Sequence, residues 1–118
     1  MCLLFLRIDF TPMRLTITGE NVSITSGYTG ADFQLSDIEK IHLLDHLPDE
    51  SFSKTNGSAD HRMLLGIFWG SQTGNCRMYV TLRESPVLEI RVPEYTVFLN
   101  STTSGQTQAW YEELLAAQ

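Results

Sequence analysis

The feature that most constrains the fold is the stretch from His61 to Leu99, which reads as four consecutive β-strands. Each run is rich in β-branched and aromatic residues, and a glycine, proline or serine stands in each break. Such residues disfavour continued pairing, so the pattern predicts an antiparallel meander. The expected strands are His61–Trp69, Asn75–Leu82, Pro86–Val92 and Glu94–Leu99.

Further strands are expected before this meander. Apolar and polar residues alternate in two runs on either side of Gly19-Glu20-Asn21, which predicts a hairpin with a tight turn. The segment Ala31–Asp45 fits either a helix or two strands, and the β-rich context favours strands. The expected strands are Leu3–Asp9, Met13–Thr18, Val22–Thr25, Asp32–Leu35 and Ile38–Leu44.

The end of the chain carries the signals of one helix, Thr103–Ala117. Thr103 and Gln106 have the spacing of a capping box, in which the threonine accepts a backbone hydrogen bond. Trp110 and Leu114 lie four residues apart and predict an apolar stripe that packs on the sheet. At 118 residues the chain suits one domain, mostly β with a C-terminal helix.

One segment, Leu47–Asp60, reads as a long loop because it holds a proline, a glycine, serines and charged residues. Within it, Lys54, Thr55, Asn56 and Gly57 are the candidate interaction residues, and Asn56-Gly57 predicts a turn with a positive φ at the glycine. Gly66 interrupts a strand pattern, which predicts a bulge or a close backbone approach.

The charge balance argues against one class of function. Asp and Glu number 14 against 8 Lys and Arg, a formal net charge of −6. Binding to nucleic acid or to an anionic bilayer requires a basic face, so neither is expected as a partner. A local arginine cluster stays open as an alternative, because Arg62, Arg77, Arg83 and Arg91 all lie in the expected meander.

No residues form a catalytic, cofactor-binding or metal-binding motif. The sequence has no GxSxG elbow and no CxxC pair. His42 and His46 have metal-ligand spacing on a helix, but on a strand they lie about 13 Å apart, so no metal site is expected.

Several local motifs resemble the bacterial pleckstrin-homology-like (PH-like) domain family. The resemblance covers about Met13 to Leu115. It is carried by Leu35-Ser36-Asp37-Ile38, Leu43-Leu44-Asp45, Leu47-Pro48, Thr55-Asn56-Gly57, Leu65-Gly66-Ile67-Phe68 and Trp110-Tyr111-Glu112-Glu113-Leu114. It implies a small barrel of two orthogonally packed antiparallel sheets, closed by the C-terminal helix.

The resemblance, together with the absence of catalytic motifs, favours a non-catalytic module that binds protein. It further implies a bacterial source, a place in the cytoplasm or at a membrane, and a membrane helix before Met1 as tether. Phosphoinositide binding does not carry over, because the turn that is basic in lipid-binding relatives contains Glu20 here. The alternative is a barrel that binds a small ligand or is an enzyme, with Trp69, Arg77 and Tyr79 lining a pocket.

Overall fold

The computed structural model describes residues 13–26, 30–59 and 62–118. In these ranges the chain forms nine strands, one short 3-10 turn (Leu35–Asp37) and one C-terminal helix. The strands are β1 (Arg14–Thr18), β2 (Asn21–Thr25), β3 (Gly30–Gln34), β4 (Lys40–Leu44), β5 (Phe52–Ala59), β6 (Met63–Gly70), β7 (Gly74–Thr81), β8 (Val87–Arg91) and β9 (Thr96–Leu99); the helix is α1 (Ser104–Ala117). The expected strand Leu3–Asp9 lies outside the described residues.

The first three strands form a small antiparallel sheet in the order β1-β2-β3. The expected hairpin is confirmed: Thr18 pairs with Asn21, and Gly19 has a φ of +61° in the turn. Alternate residues of β2 and β3, such as Val22 and Phe33, are buried. The alternation in the sequence therefore does mark the inner face of this sheet.

The other six strands form one sheet in the order β4-β8-β9-β7-β6-β5. All four strands expected between His61 and Leu99 exist, but the prediction that they form an antiparallel meander is wrong. β7 pairs with β9 in parallel, and β8 lies between β9 and β4. Leu88 and Ile90 of β8 stand opposite Leu43 and Ile41 of β4. This position covers the apolar residues of β8, which are fully buried, from both sides.

The prediction of a long loop at Leu47–Asp60 is wrong as well, because β5 occupies the second half of this segment. β5 lies at an edge of the sheet, and most of its side chains are exposed. Backbone hydrogen bonds to β6 hold β5 in the sheet. Because its side chains are mostly exposed, its sequence lacks the apolar alternation of an inner strand.

Apolar side chains pack on both faces of the six-stranded sheet. One face, with Tyr79 and Leu99, belongs to the same core as Ile24 of the small sheet and Leu114 of α1. The other face, with Met78 and Phe98, forms a second cluster that includes Phe52, whose ring meets Phe98 edge-on at 5.9 Å. The mostly β architecture is confirmed, but the two sheets are not closed into the expected barrel.

Helix α1 begins and ends within a residue of its expected bounds. Trp110 and Leu114 are buried, as expected. The expected capping box is wrong, because the Thr103 side chain makes no capping hydrogen bond. Instead the Thr107 hydroxyl accepts a hydrogen bond from the Ser101 amide at 2.8 Å, which ties the first turn of the helix to the end of β9. No helix in the described ranges is long and apolar enough to span a membrane.

Candidate functional site

The four candidate interaction residues lie in the edge strand β5. Lys54, Thr55 and Asn56 are exposed, and Gly57 is half-buried. The pairing with β6 shifts here, from Lys54 opposite Phe68 to Asn56 opposite Ile67, so Thr55 is the extra residue of a β-bulge. The residues expected in a loop thus form an irregular stretch of sheet edge.

Gly57 faces Gly66 across the β5–β6 pair. Their φ values are +141° and +118°, a region that side chains strongly disfavour. A Cβ on Gly57 would collide with the carbonyl oxygen of Leu65, and one on Gly66 with that of Asn56. The close approach expected at Gly66 is confirmed. The positive φ of Gly57 is also confirmed, but it belongs to a strand and not to a turn.

Glu50 fixes the turn between β6 and β7. Its Oε1 accepts hydrogen bonds from the Gln72 and Thr73 amides at 2.8 and 2.9 Å, and its Oε2 accepts one from the Thr73 hydroxyl at 2.7 Å. Burial would raise the pKa of this carboxyl, but the three hydrogen bonds outweigh it and hold the pKa below its usual value. The start of β5 is thereby tied to the adjoining turn.

The most exposed large apolar side chain of the described residues is Trp69, near the end of β6, at 57%. Its neighbours in register are small or polar: Ser53 on β5 and Asn75 on β7. Trp69 borders a groove of about 300 Å³ that follows the end of the six-stranded sheet, which we call the Trp69 groove. Its lining includes Trp69, Asn75, Tyr95, Glu94, Arg91 and Glu39.

Tyr95 stands between the Trp69 groove and a second cleft of about 180 Å³, the Asp32 cleft, lined by Asp32, Asp37 and Glu94 among others. The Arg77 guanidinium covers the Tyr95 ring, 4.3 Å from its centroid. The Tyr95 hydroxyl donates a long hydrogen bond of 3.5 Å to the Asp32 carbonyl of β3. Tyr95 therefore connects the two sheets.

The charges around Tyr95 affect the pKa of its hydroxyl group. Burial raises the pKa of Tyr95, and although Arg77 opposes the rise, the carboxylates of Glu94, Asp32 and Asp37 add to it. The negative charges of the Asp32 cleft thus act together at this ring.

Trp69, Arg77 and Tyr79, expected to line one pocket in the alternative function, are not brought together around a cavity. Tyr79 is fully buried in the core between the sheets. Trp69 borders its groove, and Arg77 is engaged by the Tyr95 ring and by Asn75, whose Oδ1 lies 3.4 Å from its Nη1. This pocket prediction is wrong.

Only one of the two histidines lies in a strand. His42 lies in β4, where its Nδ1 stands 3.6 Å from a carboxylate oxygen of Glu89, its cross-strand neighbour. His46 lies past the end of β4, with its Nδ1 2.8 Å from the Leu47 carbonyl oxygen. In the ranges the structure describes, no three His, Cys, Asp or Glu side chains converge as metal ligands would.

Sequence reasoning missed Asn100, which holds the chain after β7. This side chain is fully buried; its Oδ1 accepts from the Thr81 amide at 2.7 Å, and its Nδ2 donates to the carbonyls of Thr81 and Glu84 at 3.0 and 3.3 Å. Arg83, in the turn so held, has a φ of +71°. No local signal marks Asn100, because its partners lie 16 and 19 residues earlier.

Comparison with protein-family models, with curated proteins and with solved structures finds no match for this chain.

Proposed function

We propose that this chain is a non-catalytic module related to the bacterial PH-like domains, and that it binds another protein along the edge strand β5. The relationship is supported by the order of elements, in which strands of two packed sheets precede one C-terminal helix. The parallel β7–β9 pair departs from the simple meander that the resemblance implies.

The observation that carries the protein-binding proposal is the position of Lys54–Gly57 in β5. An edge strand offers unpaired backbone donors and acceptors to a partner strand, the mode of binding called β-augmentation. β5 is eight residues long and exposed along most of its length. Its bulge and its lysine discourage indiscriminate pairing, so a partner strand must match this irregular edge.

Site-specific photo-crosslinking in cells tests the edge. A photoreactive residue is placed at Ser53 or Asn56 of β5, and the matched control is the same residue at Glu113, which is exposed on α1. We expect a discrete protein adduct from the β5 positions and none from Glu113. Equal adducts from all three positions, or none from β5, would contradict the proposal.

Hydrogen exchange on the isolated complex then tests the mode of binding. Pairing of a partner strand with β5 should slow exchange of amides between Phe52 and Ala59, while amides of α1 stay unchanged. Slowed exchange confined to α1 would place the partner on the helix instead.

We also propose that a covalent neighbour, and not lipid binding by this chain, places it at a membrane. The support is its net charge of −6, which anionic headgroups repel. Co-sedimentation with vesicles at physiological salt should leave the 118-residue chain in the supernatant. Salt-sensitive binding to anionic but not to neutral vesicles would overturn this part of the proposal.

A further inference from the structure

We propose that the Trp69 groove receives a basic segment of the partner protein that continues from the strand paired with β5. This inference rests on the proposed function and names the chemistry of the partner.

The groove is continuous with the edge. It runs past the strand ends in the order β6, β7, β9, β8, β4, beginning at Trp69 beside Ser53 of β5 and ending at Glu39. Strands lie about 4.8 Å apart, so this path is about 20 Å long and fits about six extended residues. A segment that leaves the added strand near Ser53 lies close to Trp69, which stands opposite Ser53.

Trp69 provides the anchor. Its ring is 57% exposed, and tryptophan attracts a guanidinium or ammonium group to its face more strongly than other aromatic residues do. Tryptophan is also enriched among residues that dominate binding energy at interfaces.

The charges around the path select a basic occupant. Carboxylates of Glu39 and Glu94 border the Trp69 groove, and those of Asp32 and Asp37 border the adjoining Asp32 cleft. In the part of the chain that the structure describes, none of these four carboxylates forms an ion pair. Three cations lie nearby: Arg91 lines the Trp69 groove, Lys40 stands opposite Arg91 in register, and Arg77 is already stacked on Tyr95. Four carboxylates against three cations leave an excess of one negative charge around the path.

Tryptophan fluorescence reports on this groove, because the other tryptophan, Trp110, is buried against the core. The probe is a capped seven-residue peptide of alternating arginine and threonine, and its control has glutamate in place of arginine. At physiological salt we expect saturable quenching by the basic peptide alone, and loss of this signal in Trp69→Phe. Quenching by both peptides, or by neither, would overturn the inference.

A matched pair of double variants separates the local charges from the net charge. Glu39→Gln with Glu94→Gln should weaken binding of the basic peptide about tenfold, whereas Glu112→Gln with Glu113→Gln on the exposed face of α1 should change it less than about twofold. Equal weakening of peptide binding in both double variants would mean that net charge alone causes the effect, and it would overturn the inference.

The two proposals fail in different ways. Adducts at β5 without peptide binding in the groove would overturn this inference and leave the proposed function standing. Peptide binding in the groove without any adduct at β5 would overturn edge binding, and with it the part of this inference that joins the basic segment to a strand on β5.

Discussion

Gly57 and Gly66 face each other across β5 and β6 with no room for a side chain on either residue. Both have φ values that glycine adopts without strain and alanine does not. The edge strand that carries the proposed binding surface therefore depends on two glycines in register.

Alanine at either position should loosen β5. We expect Gly57→Ala and Gly66→Ala each to lower the free energy of unfolding by about 2–4 kcal/mol, since the Cβ meets backbone atoms that side-chain rotation cannot move. Gly105→Ala is the matched control: a Cβ there has nothing within 4 Å, and we expect a gain of up to about 1 kcal/mol in the helix. Urea unfolding measures all three, and unchanged stability in both edge variants would contradict the close approach.

The helix is held to the sheets by its buried stripe. Leu114 is fully buried, so Leu114→Ala should lower the free energy of unfolding by about 2–5 kcal/mol. The neighbouring Leu115 is 47% exposed, and Leu115→Ala should cost less than about 1 kcal/mol. Chemical unfolding of both variants makes the comparison; an equal, small effect of the two would show that α1 is peripheral.

Asn100 should be sensitive to charge as well as to size. Asn100→Ala leaves the Thr81 amide and the Thr81 and Glu84 carbonyls without this partner, a cost of about 2–4 kcal/mol. Asn100→Asp keeps the size but replaces two donated hydrogen bonds by a buried negative charge facing carbonyl oxygens, so it should be at least as harmful at neutral pH. Thermal unfolding at neutral and acidic pH distinguishes them, and a harmless Asp variant at neutral pH would contradict the assigned hydrogen bonds.

Glu50 should make stability depend on pH. Its folded pKa lies below the usual 4.5, so the unfolded chain binds the proton more readily. The stabilisation is therefore complete well above pH 4.5 and disappears as the pH falls through the folded pKa. Between neutral pH and about pH 3, the free energy of unfolding should fall less steeply with pH in Glu50→Gln than in the parent chain. Identical slopes would show that the turn does not depend on this carboxylate.

Local patterns predicted most of the strands but not how they are arranged. Alternation in Val22–Thr25 indicates which residues face the core, because one buried face imposes a period of two. Alternation does not indicate which strands pair with each other, so nothing in the sequence predicted that β9 lies parallel to β7 and beside it. β5 was missed because an exposed edge strand is stabilised by backbone hydrogen bonds to β6, and these leave no apolar period.

The candidate site was predicted in part. Lys54, Thr55 and Asn56 are exposed and Gly57 is half-buried, and all four lie in a strand and not in the expected loop. The exposure of Trp69 results from the small side chain of Ser53 on one side and the polar side chain of Asn75 on the other. Glu50 was not singled out, because its partners Gln72 and Thr73 lie 22 and 23 residues later.

The place of β8 in the large sheet has a consequence for how the chain folds. β4 pairs with β8 across more than forty residues of sequence, and among the described strands no earlier one takes that place beside β4. Contacts between distant parts of a chain slow folding, because the entropy of closing the loop is lost before the contacts form. During synthesis, β4 cannot pair with β8 until β8 has left the ribosome. Until then Ile41 and Leu43 lack the cross-strand neighbours, Ile90 and Leu88, that they have in the folded chain.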